Sequence, residues 1–257
     1  MTARGIKINV VDASAPTYVG LDNLSGADRF DYSNTEVTVC GWMAIKGSKG
    51  GGTPGGQIFA YMSVIGTAEF TIIRANDADE SSPPNYNEIL RYSTNGAPGT
   101  GNDVGATGNS VAINENYFYG WTWDSALRQF VFYYVKDGNT INSVSSGTGL
   151  DVIGIKDTFR LGANSTTNGS NVEITNVKVW KRKLTSTEID NERKSLNVVG
   201  SSGIYGHWKL PSSSDLTDSS GNGRTLTAVG TITSGSMDPV DIQTPPTTPI
   251  KIFLSGH

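Results

Sequence analysis

Between Tyr117 and Trp123 an aromatic ring stands at every second position, Tyr117, Tyr119, Trp121 and Trp123, with Phe118, Gly120 and Thr122 between them. Alternate residues of an extended chain point to opposite faces, so this period of two sends all four rings to one side of a strand. Each ring carries about 150–250 Å² of surface to bury, and a helical period would scatter the rings around an axis. The segment therefore demands a second layer packed over it, which is the architecture of two stacked antiparallel sheets.

The rest of the chain agrees. Short runs rich in Val, Ile, Thr, Tyr, Phe and Trp recur between clusters of Gly, Asn, Ser and Pro, the pattern of an all-β sandwich. Strands are predicted over 6–11, 37–45, 57–64, 70–74, 89–92, 117–123, 130–135, 158–161, 174–180, 205–209 and 251–254. In 175–180 the apolar set is Val177, Val179 and its neighbour Trp180, with Asn176 and Lys178 on the other side. Trp42, Trp121, Trp123, Trp180 and Trp208 all fall within predicted strands and read as core. Polar loops are expected over 47–56 and over 76–110, the second interrupted by 89–92.

One helix stands out. In Leu-Thr-Ser-Thr-Glu-Ile, Thr185 reads as N-cap and Glu188 as N3 of a capping box, with Leu184 and Ile189 placed for a hydrophobic staple. The helix is expected to run to about Leu196 and, being short and polar, to lie on the sandwich surface with its carboxylates in solvent.

Length and charge narrow the function classes. At 257 residues a sizeable core can form, so residues 1–235 read as one domain. Residues 236–257 read as an extended arm carrying Pro239, Pro245, Pro246 and Pro249 and ending in an apolar hook of Ile250, Ile252, Phe253 and Leu254. A net charge of −4 and a pI near 5.2 exclude a broad basic grip on nucleic acid. The longest unbroken apolar stretch, 130–135, is far short of the roughly 20 residues that span a bilayer, so no membrane partner is expected. The single cysteine, Cys40, makes no internal disulfide. The opening residues MTARGIKINVVDAS lack the apolar segment of a secretory signal, an expectation of residence inside the cell or of release by another route.

Three stretches resemble the laminin G-like branch of the concanavalin A-like lectin and glucanase superfamily. They are 34–45 (NTEVTVCGWMAI), similar to a strand leading to an inward tryptophan, here Trp42; 117–138, similar to a hairpin whose strands end in Asp and Asp-Gly; and 159–189, similar to the strand, glycine turn, strand and capped helix late in such domains. A fourth fragment, 205–226, resembles a motif that normally opens the domain, yet here it follows the helix. The resemblance implies a jelly-roll β-sandwich, a fold that hosts hydrolases, lectins, adhesion modules and virion proteins alike.

The sharpest catalytic signal is Glu188-Ile189-Asp190-Asn191-Glu192, which matches the E-x-D-x-E string of the superfamily's endo-β-glucanases. Retaining catalysis needs two carboxyl groups about 5–5.5 Å apart on one face, whereas helical residues two apart diverge by about 200°. The capping box puts these acids on a helix, so the chain is read as non-enzymatic. His207, beside Trp208, reads as a structural histidine, and His257 is the only other. Two histidines and one cysteine make a zinc site implausible. The stretch 47–56 lacks the Gly-Lys-Ser/Thr ending of a phosphate loop.

No cofactor is required on this reading, with calcium as the one metal considered. Asp77, Asp79, Ser81, Asn85 and Glu88 follow EF-hand ligand spacing, but Ser82 replaces the glycine and two prolines follow it, so a solvated acidic loop is the expectation. Asp215, Asp218 and Asn222 form a second set that is equally a turn sequence. For glycan binding, Tyr86 with Asn85 and Asn87 is the candidate platform, and Tyr92 a further one. The first functional expectation is a structural or adhesive protein on an assembled particle, a virion capsid decoration, fibre or tail component. It would be found on the particle surface or outside the cell after lysis, docked through its arm to neighbouring capsid or fibre proteins or copies of itself. The alternatives are a secreted carbohydrate-binding lectin module and, last, an endo-β-glucanase-like hydrolase.

Overall fold

The computed structural model describes residues 4–8, 17–47, 57–60, 64–65, 72–76, 86–91, 103–111, 116–135, 140–150, 154–162 and 171–237, and in 57–111 the backbone alone. The first strands are β1 (Arg4–Ile8), β2 (Tyr18–Leu21), β3 (Phe30–Asp31), β4 (Val37–Gly47), β5 (Gln57–Ala60), β6 (Val64–Ile65), β7 (Ile72–Asn76), β8 (Tyr86–Arg91) and β9 (Asp103–Val111). There follow β10 (Asn116–Asp124), β11 (Gln129–Val135), β12 (Asn142–Ser145), β13 (Ile155–Lys156), β14 (Phe159–Leu161) and β15 (Asn171–Trp180). Helix α1 (Ser186–Arg193) then leads to β16 (Ile204–Trp208), β17 (Thr227–Val229) and β18 (Ile232–Met237). Among the described residues no helix is long and apolar enough to cross a membrane.

The large sheet runs β12-β11-β10-β4-β15-β1-β18. Strand β15 has β4 along its whole length on one side, while β1 and β16 share the other, β1 opposite Val172–Ile174 and β16 opposite Val177–Trp180. Facing it is a sheet ordered β17-β2-β14-β6, with a further sheet β5-β7-β8-β9 and a two-residue ladder β3–β13. All pairings are antiparallel. The chain is an antiparallel jelly-roll β-sandwich, and its stacked layers are those that the aromatic alternation demands.

Side-chain parity explains the layers. Tyr117, Tyr119, Trp121 and Trp123 of β10, Val37, Val39 and Met43 of β4, and Phe130, Phe132 and Tyr134 of β11 all face the main core. The opposite parity, Cys40, Trp42 and Ala44 with Phe118, Tyr133 and Val135, forms a second buried cluster on the outer face, closed by Leu184, Ile189 and Trp180. Trp42 is thus not the inward tryptophan expected from the resemblance. It shares parity with Cys40, and it packs edge-on against Phe118 with centroids 5.6 Å apart. In β15 the register shifts between Thr175 and Lys178, and Asn176 takes φ +51°, so the core-facing set changes from Val172 and Ile174 to Val177 and Val179. This bulge keeps both halves of β15 facing inward despite the change of parity. Trp180, sequence neighbour of Val179, consequently lies on the outer face.

The predicted strands at 37–45, 117–123, 130–135 and 205–209 form within one or two residues of expectation. The loop expected at 76–110, interrupted by a strand at 89–92, holds more strand than that. It contains β8 from Tyr86 and all of β9 but its last residue, and the DVGATGNSV of β9 pairs with β8 through backbone bonds despite weak strand propensity. The strand expected at 251–254 lies outside the described residues.

Candidate functional site

Helix α1 and the loop after it cover the outer face of the large sheet. Thr185 Oγ1 accepts from Glu188 N while Glu188 accepts from Thr185 N, completing the expected capping box, and Leu184 and Ile189 are both buried beneath it. The helix ends at Arg193, three residues before the expected Leu196, with Lys194 as C-cap.

Each acid of Glu188-x-Asp190-x-Glu192 is bonded into the framework. Glu188 accepts from Thr185 N at 2.7 Å and from Arg182 Nη2 at 2.7 Å. The Arg182 hydrogen bond, reinforced by the Thr185 backbone, holds its carboxyl at about 2. Burial works to raise Asp190, but hydrogen bonds from Lys194 and Arg193, both at 2.6 Å, outweigh it and hold the carboxyl below its usual range. A glycosidase acid needs the opposite shift, upward toward neutrality.

Glu192 corrects the expectation of solvated carboxylates. It is 2% exposed and meets Lys178, which is fully buried. Lys178 Nζ donates to Glu192 Oε2 at 2.8 Å and to the carbonyls of Glu192, Ser195 and Asn197 at 2.9, 2.9 and 2.8 Å. Glu192 Oε1 accepts from Gly200 N at 2.7 Å and Val199 N at 2.9 Å. A buried ammonium with four oxygen partners is satisfied, not reactive. The sequence signal for it was a lysine between Val177 and Val179 in a predicted strand, with an acid on the helix 14 residues downstream.

His207, opposite Lys178 on β16, is 2% exposed and bonds Asn176 Oδ1 through Nε2 at 3.0 Å. Burial, followed by the charges of Lys178 and Lys209, lowers its pKa to about 4 against the pull of Asp218, so the ring is neutral at pH 7. Asp218 accepts from His207 N at 3.0 Å, Ser220 N at 2.8 Å, Arg224 N at 3.0 Å and Ser220 Oγ at 2.9 Å. Asn222 Nδ2 donates to the carbonyls of Ile204 and Tyr205, and Asp215 accepts from Thr217 N. The second cation set is therefore a turn framework. Among the described residues no group of three or more His, Cys, Asp or Glu could hold a metal ion.

A cleft of about 220 Å³ opens between the loop after α1, β16 and the 219–220 turn. Asn197, Ser201, Lys209, Ser219 and Ser220 line it with His207, and Val198 and Ile204 supply an apolar wall. The sequence flagged His207 but not the cleft, because its lining comes from three segments that meet only in the fold.

Tyr86 and Asn87 lie in β8 opposite Val111 and Ser110, and Glu88 falls at the register shift that follows, in a strand rather than the expected loop. Asn85, Tyr92, Asp77 and Asp79 lie outside the described residues, as do Ile250, Ile252, Phe253 and Leu254 of the arm. Cys40 is a buried free thiol pushed by burial to about 12.

No protein-family model and no curated protein sequence matches the chain. Among solved structures, the native heptameric SAP-like pentraxin of Limulus polyphemus matches with a TM-score of 0.54 at 13% identity, over 91% of this chain and 95% of that one. The VIP36 exoplasmic/lumenal domain in its Ca²⁺/Man-bound form overlaps with a TM-score of 0.37 at 12% identity, over 73% of this chain and 82% of that one. The Ruminococcus gnavus IT-sialidase CBM40 overlaps with a TM-score of 0.35 at 11% identity, over 67% of this chain and 95% of that one. The pentraxin match bears on the fold, and on the fold alone.

Proposed function

We propose that this protein is a non-catalytic β-sandwich that acts by binding, and that its ligand class is carbohydrate. The observation that carries the first half is the use of all three E-x-D-x-E carboxylates as cap, helix-face ion pair and buried loop anchor, which leaves none free to attack or protonate a glycosidic bond. The second half is supported by the sandwich itself, whose open polar cleft is lined by serines, an asparagine and Lys209 with no acid among its described lining residues. Neither cofactor nor calcium is needed for this role. Immobilising the full chain and probing it with a glycan array tests the reading. Retention of at least one glycan class at millimolar affinity or better supports it, and an array without a hit at that concentration overturns it.

A second proposal is display on an assembled particle, a virion capsid or fibre, with residues 238–257 docking on a neighbouring protein or copy. Glu173 favours it. This buried acid pairs with Lys46 at 2.9 Å and accepts from Ser236 N and, at 2.5 Å, Met237 N, so β18 is held on the sheet edge up to Met237, the residue before that segment. Deleting 238–257 should leave a folded domain that no longer joins particles; undiminished incorporation would refute the docking role.

A further inference from the structure

The cleft beside α1 holds a histidine whose hydrogen positions follow from its neighbours. Asn176 Nδ2 donates to the Ser195 carbonyl at 3.0 Å, and a carbonyl can only accept, so the orientation of the Asn176 amide is set. Its other end, Oδ1, meets His207 Nε2 at 3.0 Å. Two acceptors cannot pair, so Nε2 carries the hydrogen. The ring, buried alongside Lys178 and Lys209, is neutral at pH 7, and a neutral imidazole has only one N–H. Nδ1 therefore keeps its lone pair, with no partner among the described residues, on a side chain that lines the cleft. Lys209, half-exposed on the same cleft, has no ion-pair partner among the described residues.

These groups select a ligand by exclusion. An anion would meet the Nδ1 lone pair, and a cation would meet Lys209. A metal ion would find Asp218 already accepting from four donors. What fits is a neutral molecule with adjoining donor and acceptor atoms and one apolar face. A pyranose provides a hydroxyl hydrogen for Nδ1, a neighbouring hydroxyl oxygen for the ammonium, and ring C–H groups for Val198 and Ile204. At about 220 Å³ the cleft is sized for one sugar ring rather than for an extended oligosaccharide.

We propose that this cleft is a monosaccharide subsite in which His207 Nδ1 accepts from one sugar hydroxyl and Lys209 donates to the next. The inference rests on the carbohydrate reading above and names where the sugar sits. The test is long-range ¹H–¹⁵N correlation of the His207 ring in the labelled full chain. It is recorded free and with millimolar methyl glycosides of glucose, galactose, mannose and N-acetylglucosamine. The free protein should show hydrogen on Nε2 and a bare Nδ1, and at least one glycoside should move the Nδ1 resonance. Lys209→Met should weaken that binding about tenfold, the loss of one hydrogen bond to a charged donor. Ser219→Trp, an exposed change at the cleft, should abolish it without unfolding the chain. A protonated Nδ1 in the free protein overturns the proposal. So does a positive glycan array with an unmoved His207 ring, which leaves carbohydrate binding standing at another site. Silence in both experiments removes the subsite and the carbohydrate reading together.

Discussion

Lys178 and Glu192 show how much of this protein turns on single residues. Both are buried, and removing one partner strands the other's charge, a loss of about 3–5 kcal/mol where such pairs have been broken. Lys178→Met should lower unfolding free energy by that order in urea titration, and an unchanged midpoint would mean that the pair contributes little. Glu192 also holds Val199 N and Gly200 N, so pairing Lys178→Met with Glu192→Leu should not restore stability as it would for an isolated ion pair. His207 sets a pH dependence of definite sign. Its folded pKa of about 4 lies below the ordinary 6.5, so between those values the unfolded chain binds the extra proton. Stability should therefore fall as pH drops from 6.5 to 4, and His207→Gln should flatten the slope in that window. The depressed carboxylates act lower down. Glu188, at about 2 against 4.5, contributes stability that is present above 4.5 and lost as pH falls toward 2.

Among the elements, α1 is small enough for its cap to matter. Thr185→Ala removes the oxygen that accepts Glu188 N, and about 1 kcal/mol of stability should go with it, read as a lower denaturation midpoint with no change in slope. At Gly206 in β16 an added Cβ would stand 2.5 Å from the Trp208 ring, so Gly206→Ala should displace that ring and cost more than the cap does. The strands that could be read from sequence, β4, β10, β11 and β16, are those whose side chains alternate over a buried core. Strands β9, β12 and β17 could not, because DVGATGNSV, NSVS and TAV carry little apolar alternation for a sequence reading to find, and pair with their neighbours through ladder bonds. The bulge at Asn176 was equally hidden, since a change of parity leaves no mark in composition. It places Asn176 between the loop after α1 and His207, so the candidate cleft was legible only as an isolated histidine in a strand.

For the whole molecule, the two-sided burial of the large sheet is the organising fact. The inner face packs against the second sheet, and the outer face is closed by α1 and its exit loop, anchored through Lys178 and Glu192. The fold class could be read from the four rings at 117–123, but the second buried layer could not, because a helix with little apolar surface gave no hint that it covers Trp42 and Trp180. With Asp218 committed to four donors, the molecule should need no cation. Adding excess chelator should leave the melting temperature unchanged, and a clear drop would point to calcium held by residues in 77–88. The central claim is that the three acids after Lys183 build structure and cut nothing. It is tested most directly by incubating the purified chain with a panel of β-glucans and measuring newly released reducing ends. No release above buffer is expected; release that disappears in Glu188→Gln would contradict the account.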